Sequence, residues 1–536
     1  MTKLPIAKMA CILFVFFAAA MTEATAQTYT DLYDMGATSA DPNDPVWSGV
    51  IAQGRDGNMY STTPQYWTGG GGDVFKITPA GKVTVLYNFA GTAPQHHGGL
   101  TLATDGKFYG TTPNGSGAHG YGTIFSITPE GSLTTLYSFT NGADGSDPTA
   151  PPIEGEDGNF YGTTAAGGES VTDGQYGSVY KITPSGVFTT LHTFAYTDGA
   201  NPLAPLLQAA DGSFYGTTWS GGTSGAGTIF RITASGAFRV MFNFSPAVPG
   251  NPFGALIQDR AGIFYGTTSG GNADGNDYGG IVFKFVPGEL TVLHNFAGGN
   301  AGGDTVGLVQ ATDGNFYGVN CVPGFIFIIN PTGGNFSSFG IGGSLQDTLF
   351  QHTNGLLYGT SAVGGAYDAG LFYSFDVGLK PFVSFLPAAR PVGGVVEILG
   401  QGFTGATGVS FNGTAATFTA ESDTYLTATV PAGATTGSIT VSEPGGTLTS
   451  NKIFRVKPQI SGFSPTSGSV GTTVVITGNS FTGATEVTFH NGQKAIFTVD
   501  SDTQITATVP AGAITGVICV WTAGGNADNS SFTVTP

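Results

Sequence analysis

Short aromatic and β-branched runs, each closed off by Gly, Pro, Asn or Asp, set the pattern of hydrophobic and polar positions along this chain. Runs of this kind read as β-strands separated by turns. One of them, Asp157-Gly158-Asn159-Phe160-Tyr161-Gly162-Thr163-Thr164, has relatives centred on Tyr60, Tyr109, Tyr215, Tyr265, Tyr317 and Tyr358, and consecutive copies are 49, 52, 54, 50, 52 and 41 residues apart. Each copy has three companions. Val74-Phe75-Lys76-Ile77-Thr78-Pro79 has kin starting at Ile124, Val179, Ile229, Val282, Ile326 and Leu371. Leu136-Tyr137-Ser138-Phe139 has kin ending at Phe89, Phe194, Phe244, Phe296 and Phe339, and a run such as Pro205-Leu206-Leu207-Gln208 precedes the Asp-Gly pair. Four strands in each of seven units predict an all-β, seven-bladed β-propeller.

The ends of the array support a closed ring. The seventh unit stops at Leu371-Phe372-Tyr373-Ser374-Phe375 and lacks its fourth strand, while a spare strand of the right type, Tyr29 to Met35, stands before the first unit. A ring closed by pairing first and last strands needs this permutation, whereas an open array would need polar caps. Within each unit Thr-Pro-x-Gly and Asp-Gly are tight turns. The other two connections are long, as at Asn141 to Pro148 and Ala165 to Gly177. In an up-and-down sheet alternate connections share a side, so tight turns gather on one face of the ring and long loops on the other, where recognition is expected.

Beyond Gly378 the period changes. Gly400-Gln401-Gly402-Phe403-Thr404-Gly405-Ala406-Thr407 is echoed by Gly478-Asn479-Ser480-Phe481-Thr482-Gly483-Ala484-Thr485, and Leu426 to Gly433 returns as Ile505 to Gly512. Two units of about eighty residues with alternating strands predict two immunoglobulin-like β-sandwiches. The expected organisation is a leader over 1–26, the propeller over 27–378, and sandwiches over 379–456 and 457–536.

Composition narrows the class. Charged residues make up 10 % of the 536 and Gly numbers 87, with 40 Phe and 20 Tyr. That is too aromatic for a disordered polymer and too poor in Glu, Lys and Arg for long exposed helices. Lys3 and Lys8, the apolar stretch Met9 to Met21 and Ala24-Thr25-Ala26 form a cleavable signal segment, so export is expected and the mature chain should start near Gln27. No later run is long enough to span a membrane. The net charge of −18 disfavours nucleic acid and anionic membranes as partners. Cys11 lies in the leader, and Cys321 and Cys519 alone make no disulfide framework.

The C-terminal pair resembles IPT/TIG domains through Ile460-Ser461-Gly462-Phe463-Ser464-Pro465, Gly478 to Phe481 and Val509-Pro510; the first copy has Phe385-Leu386-Pro387-Ala388-Ala389 in place of the Ser-Pro opening. The N-terminal array, with its Asp-Gly-Asn-Phe-Tyr-Gly-Thr-Thr and Val-Phe-Lys-Ile-Thr-Pro strings, resembles the bacterial secreted GloVer-type repeats. These resemblances imply the architecture and export, and they bring no catalytic residues.

No catalytic motif stands out. Gly-x-Ser-x-Gly, His-Glu-x-x-His and Cys-x-x-Cys are absent, and Gly115 to Gly120 fits Gly-x-Gly-x-x-Gly only as such a Gly-rich chain would by chance. His192 and His294 stand where Tyr87 and Tyr137 stand in other units and read as strand aromatics; His96, His97 and His119 share the long loops. The repeated Asp of the Asp-Gly turns (Asp56, Asp105, Asp157, Asp211, Asp313) reads as a turn-capping residue. Asp144 with Asp147, and Asp274 with Asp277, group oxygen ligands in long loops without EF-hand spacing; calcium is the one cofactor they suggest, and no other is expected. Tyr66, Trp67, Tyr121, Tyr176, Trp219, Tyr278 and Tyr367 all fall in the loop after the Tyr-Gly-Thr-Thr strand, where flat side chains can stack on sugar rings or anchor a partner protein. The expected function is an exported, non-enzymatic binding or adhesion protein whose long-loop face recognises a glycan, a surface polymer or a protein, with the sandwiches as spacers. Two other readings stay open: an extracellular propeller lyase or hydrolase, and a structural envelope or matrix component.

Overall fold

The computed structural model describes residues 27–38, 41–43, 45, 51–64, 72–89, 98–113, 117–168, 175–245, 248–269, 280–296, 305–321, 324–342, 344–345 and 347–536. The leader expected over 1–26 lies outside them. Seven four-stranded antiparallel sheets form the blades of a propeller, and two sandwiches follow. Within a blade burial falls from the axis outwards, as the first blade shows. Met59–Thr63 is buried throughout, Asp73–Ile77 exposes only Lys76 in part, and Val83–Asn88 is half exposed. The second strand is buried on both faces, which is why it carries no charge and why Gly can be used inside it. At Gly110 a Cβ would sit 2.6 Å from the Phe125 ring of the next strand, so the missing side chain is space the ring fills.

The ring closes as expected. Thr28–Asp34 pairs antiparallel with Leu371–Asp376 and becomes the outer strand of the seventh blade. It even carries the irregularity of the other outer strands. The register skips Leu86, Leu136, Leu191, Met241 and Leu293 in blades one to five, and it skips Leu32 here. A bulge at this point adds twist to the outer edge of each blade. It also seats the next blade: a Cβ on Gly131, in the Thr-Pro-x-Gly turn of the second blade, would lie 2.5 Å from the carbonyl oxygen of the bulged Leu86.

Two further ladders tie blade to blade. Tyr60 stacks on Phe108 at 4.0 Å, Tyr109 on Phe160 at 3.7 Å and Tyr161 on Phe214 at 3.9 Å, each ring from one blade against the next. The second ladder uses the last residue of the innermost strand. Gln208 accepts from the Glu156 N–H at 3.0 Å, Gln258 from the Ala210 N–H at 2.9 Å, and Gln351 from the Thr312 N–H at 3.1 Å. Gln53 closes the circle by accepting from the Thr353 N–H at 3.1 Å and donating to its hydroxyl at 2.8 Å. The second blade has Leu102 at this position, and the seam it shares with the first blade is held differently: Arg55 donates to the Thr104 carbonyl at 3.0 Å.

The first sandwich, expected as a spacer, is docked on the tight-turn face. Arg55 grips Glu397 with two bonds of 2.6 and 3.0 Å and lies over the Tyr425 ring at 4.9 Å. Arg260 donates to the Ser450 carbonyl at 2.7 Å, Gln401 to the Thr353 hydroxyl at 3.1 Å, and Arg455 reaches the Ala210 carbonyl at 2.6 Å and the Glu156 carboxylate. Leu386 and Leu399 pack in one cluster with Ala52 and Leu102 of the innermost strands. These contacts come from blades one to five and seven, so the sandwich covers that end of the central channel. Two four-stranded sheets and a parallel pair, Ala389–Pro391 with Arg455–Lys457, enclose a core that includes Val396, Ile398, Phe411, Ile439 and Phe454. The second sandwich repeats the pattern with four- and five-stranded sheets around Ile476, Phe481, Ile505 and Phe532. Cys321 is buried and Cys519 half-buried.

Candidate binding site

The repeated Asp of the tight turns serves the fold. Asp157 accepts from its own turn at the Asn159 N–H (3.2 Å) and from the Tyr161 hydroxyl at 2.8 Å. Asp56, Asp105, Asp211 and Asp313 hold Tyr60, Tyr109, Tyr215 and Tyr317 in the same way at 2.9 to 3.2 Å. In the fifth blade Asp259, two residues earlier in the turn, reaches Tyr265 at 3.1 Å, and in the seventh the Asn354 amide donates to the Tyr358 oxygen at 2.9 Å. In blades one to six each phenol is buried beside a carboxylate, and both effects push its pKa up; at Tyr215, where Arg231 opposes them, it still reaches about 12.

On the opposite face the described candidates are spread around the rim. Tyr121 is exposed, and its carbonyl accepts the Asp147 N–H at 3.1 Å. Tyr176 is half-buried with its ring 5.2 Å from that of Tyr196, itself 41 % exposed, and Tyr367 is 56 % exposed. Trp219 is half-buried and meets Phe253 edge-on at 5.9 Å. Tyr66, Trp67 and Tyr278 lie outside the described residues. Tyr196 and Phe253 extend the set. Both lie in the other long connection, and Phe253 follows the step Asn251-Pro252 much as Leu203 follows Asn201-Pro202.

The Asp144 carboxylate is turned into its own loop. It accepts from the Thr140 N–H and hydroxyl, both at 2.7 Å, from the Gly142 N–H at 3.0 Å and from the Tyr137 hydroxyl at 3.1 Å. Asp147 takes a left-handed backbone conformation, and its carbonyl accepts the Ala165 N–H at 2.9 Å. Asp274 and Asp277 lie outside the described residues, as do His96 and His97. Among the described residues no three His, Cys, Asp or Glu side chains come together as a metal site. His192 stacks on Phe238 at 3.7 Å and bonds Asp198 at 3.0 Å, and His294 stacks on Phe336 at 3.8 Å. Both act as strand aromatics. The strand Thr123–Ile127, not a helix, follows Gly120.

At the axis, where the long connections enter the innermost strands, lies a cavity of about 460 Å³. Its walls are apolar, with Ile51, Ala150, Leu203, Phe253, Leu308 and Phe350 contributed by different blades. Among the described residues that line it, Asp347 is the one that is charged. That side chain is 1 % exposed and accepts a hydrogen bond from the Thr360 hydroxyl. Phe253 belongs both to this wall and to the Trp219 contact, so the rim and the channel are continuous there.

Residues 45–278 match the family described as the Gloeobacter/Verrucomicrobia repeat, and residues 382–455 and 458–534 each match the IPT/TIG domain. No curated protein sequence matches the chain. Among solved structures it is similar to a streptogramin B lyase (12 % identity over 65 % of this chain and 97 % of that one, TM-score 0.46). It is also similar to a fungal alcohol oxidase of the AA5 family in complex with copper (13 %, 92 % and 98 %, TM-score 0.42) and to a gluconolactonase from Xanthomonas campestris (15 %, 57 % and 90 %, TM-score 0.37). Repeat, blade and sandwich thus agree: the chain carries Gloeobacter/Verrucomicrobia repeats within a seven-bladed β-propeller, followed by two IPT/TIG domains.

Proposed function

We propose that this protein is an exported binding or adhesion protein, without catalysis of its own, whose long-loop face recognises a glycan or surface polymer. The observation that carries this reading is the rim of that face, where Tyr121, Tyr196 and Tyr367 are exposed and Trp219 leans on Phe253 at the channel end. Flat aromatic surfaces with a polar tip suit the faces of sugar rings. The docked first sandwich supports the same assignment, because it occupies the tight-turn face and leaves the long-loop face to a partner. The test is the full mature chain on an array of glycans and cell-wall polymers, with calcium and with chelator. Binding lost in Trp219→Ala and Tyr367→Ala is the expected result, and a blank array under both conditions would sink the proposal. One observation favours a catalytic reading instead, the buried Asp347 in the channel wall. Cleavage of any arrayed polymer by the wild type and not by Asp347→Asn would replace binding with that reading.

A further inference from the structure

We infer that the second sandwich has a sugar-binding site of its own, at its junction with the first, which takes one ring of a neutral glycan. The inference does not rest on the aromatic rim of the propeller. Between the two sandwiches lies a pocket of about 310 Å³, at the lower end of the range of roughly 300–1,000 Å³ usual for small-molecule sites. Its walls are held in place, because a Cβ on Gly524 would collide with the Val456 carbonyl oxygen and the two sandwiches therefore meet at backbone distance. The lining is rich in hydroxyls, with Thr435 and Thr436 from the first sandwich and Ser480, Thr482 and Thr522 from the second. Among the described residues that line it, the half-buried Asp502 is the one that is charged.

The two sandwiches repeat one pattern, and they part company at this spot. Val441-Ser442-Glu443-Pro444-Gly445-Gly446 aligns with Val520-Trp521-Thr522-Ala523-Gly524-Gly525, and Gly402 aligns with Ser480. In the first copy Glu443 fills the space beside Asp423: a Cβ on Gly402 would collide with its carboxylate, whose pKa burial and the Asp423 charge push up. In the second copy the shorter Thr522 leaves the corresponding space beside Asp502 open. Ser480 keeps the left-handed conformation (φ +59°) that suits the Gly402 of the first copy, and its hydroxyl has no hydrogen-bond partner among the described residues. Trp521 stands where the first copy has Ser442; it is 39 % exposed on the same hairpin, opposite Glu486 and Asn526 of the adjoining strands.

The open valences match a sugar. Thr435 and Thr436 already accept, from the Asn412 amide at 2.8 Å and the Val456 N–H at 3.1 Å, so each keeps a hydroxyl proton to donate. The N–H and hydroxyl of Thr482 occupy Asp502 Oδ1 at 3.2 and 2.7 Å, whereas Oδ2 receives only the Ser480 N–H at 3.4 Å. Donors on one wall and a carboxylate oxygen on the other suit a ring whose hydroxyls both donate and accept. The indole beside the pocket offers a flat apolar surface to the next ring. The carboxylate repels an acidic sugar of the same shape.

The test is calorimetric titration of the full chain carrying Trp219→Ala and Tyr367→Ala, which removes the rim, with cellotetraose, maltotetraose, mannotetraose and tetragalacturonate. At least one neutral tetrasaccharide is expected to bind at one site, at least tenfold more tightly than the acidic one. Adding Ser480→Gly and Thr522→Glu gives the second copy the residues of the first, fills the pocket and should weaken that binding at least tenfold. Should this variant fail to fold, Trp521→Ser, again the residue of the first copy, decides in its place, with an expected loss of at least fivefold. No binding of any neutral tetrasaccharide, binding unchanged in the variant, or tetragalacturonate bound as tightly as the neutral sugars would overturn the inference. One ring in one pocket is expected to bind at about millimolar concentration, too weakly to retain a polymer on an array by itself. Loss of array binding on removing the rim and calorimetric binding at the junction are thus separate readouts, and failure of one is distinguishable from failure of the other.

Discussion

Arg455, in the last strand of the first sandwich, pairs with Glu156 in a tight turn of the third blade, and the two side chains are only 9 % and 10 % exposed. Lys457 shares the same carboxylate, and Arg455 also donates to the Ala210 carbonyl at 2.6 Å. Glu156→Ala would leave a buried guanidinium without its anion, at an expected cost of about 3–5 kcal/mol. Urea unfolding of the full chain measures this, and the double variant Glu156→Leu, Arg455→Met should recover most of the loss. A single variant as mild as an ordinary surface substitution would mean that the sandwich is held chiefly by its apolar contacts.

Acid should loosen the blades one turn at a time. Burial disfavours the charged form of Asp157, but hydrogen bonds from Asn159 and Tyr161 outweigh it and hold the carboxyl below its usual value; the His192 ring and the Ala195 N–H do the same for Asp198. A folded pKa below the unfolded one gives stability that is present above the unfolded value, about 3.9 for Asp, and that is lost as pH falls through the folded value. Tyr161→Phe removes one such bond and is expected to cost about 1–2 kcal/mol at neutral pH and to move the acid-unfolding midpoint upwards. An unchanged midpoint would rule out this account of the turn.

The seam between the seventh and first blades should be sensitive at milder pH. His352 is fully buried, with its Nε2 2.9 Å from the Gly57 carbonyl oxygen and its Nδ1 accepting the Asn354 N–H at 3.1 Å, so the ring is neutral. Burial pushes its pKa down. The unfolded chain therefore binds the proton first, and the contribution of His352, present above about pH 6.5, fades as pH falls towards the folded value. Tm should drop between pH 7 and 5, and His352→Gln should flatten that slope. Burial also lowers the pKa of His294, which acts in the same direction.

Two glycines with the same backbone sign should behave differently. Gly131 (φ +94°) abuts the Leu86 carbonyl oxygen of the preceding blade, whereas Gly158 (φ +77°) has nothing within 4 Å of where a Cβ would stand. Gly158→Ala is expected to cost about 1–2 kcal/mol for the left-handed conformation alone. Gly131→Ala should cost distinctly more, because two blades must also move apart. Equal losses on denaturant titration would show that the inter-blade contact is slack.

Much of the fold is legible because it is written in local patterns. Blade number follows from the spacing of Tyr60 and its relatives, and ring closure from a fourth strand missing after Phe375 and present at Tyr29. The ladder of Gln53, Gln208, Gln258 and Gln351 sits at corresponding strand ends and is visible in retrospect, though a polar residue ending a strand signals little by itself. The docking of the first sandwich is a different matter. Arg55, Glu156 and Arg455 look like ordinary surface charges, and Arg455 and Glu156 meet across 299 residues of chain. The same holds for Asp347: spacing places it in a connection between blades, but only the ring turns that connection into the wall of a cavity.

The pairing of Tyr29 with Phe375 has a consequence for assembly. The strand made first is seated last, so until residues 371–376 emerge a completed row of blades presents an open hydrogen-bonding edge at one end and an unmatched strand at the other. In a concentrated solution of folding chains, the matching strand of a neighbour can fill that edge as well as the chain's own. The expected misassembled form is therefore an exchanged dimer with native blades throughout, and dilution during refolding should suppress it.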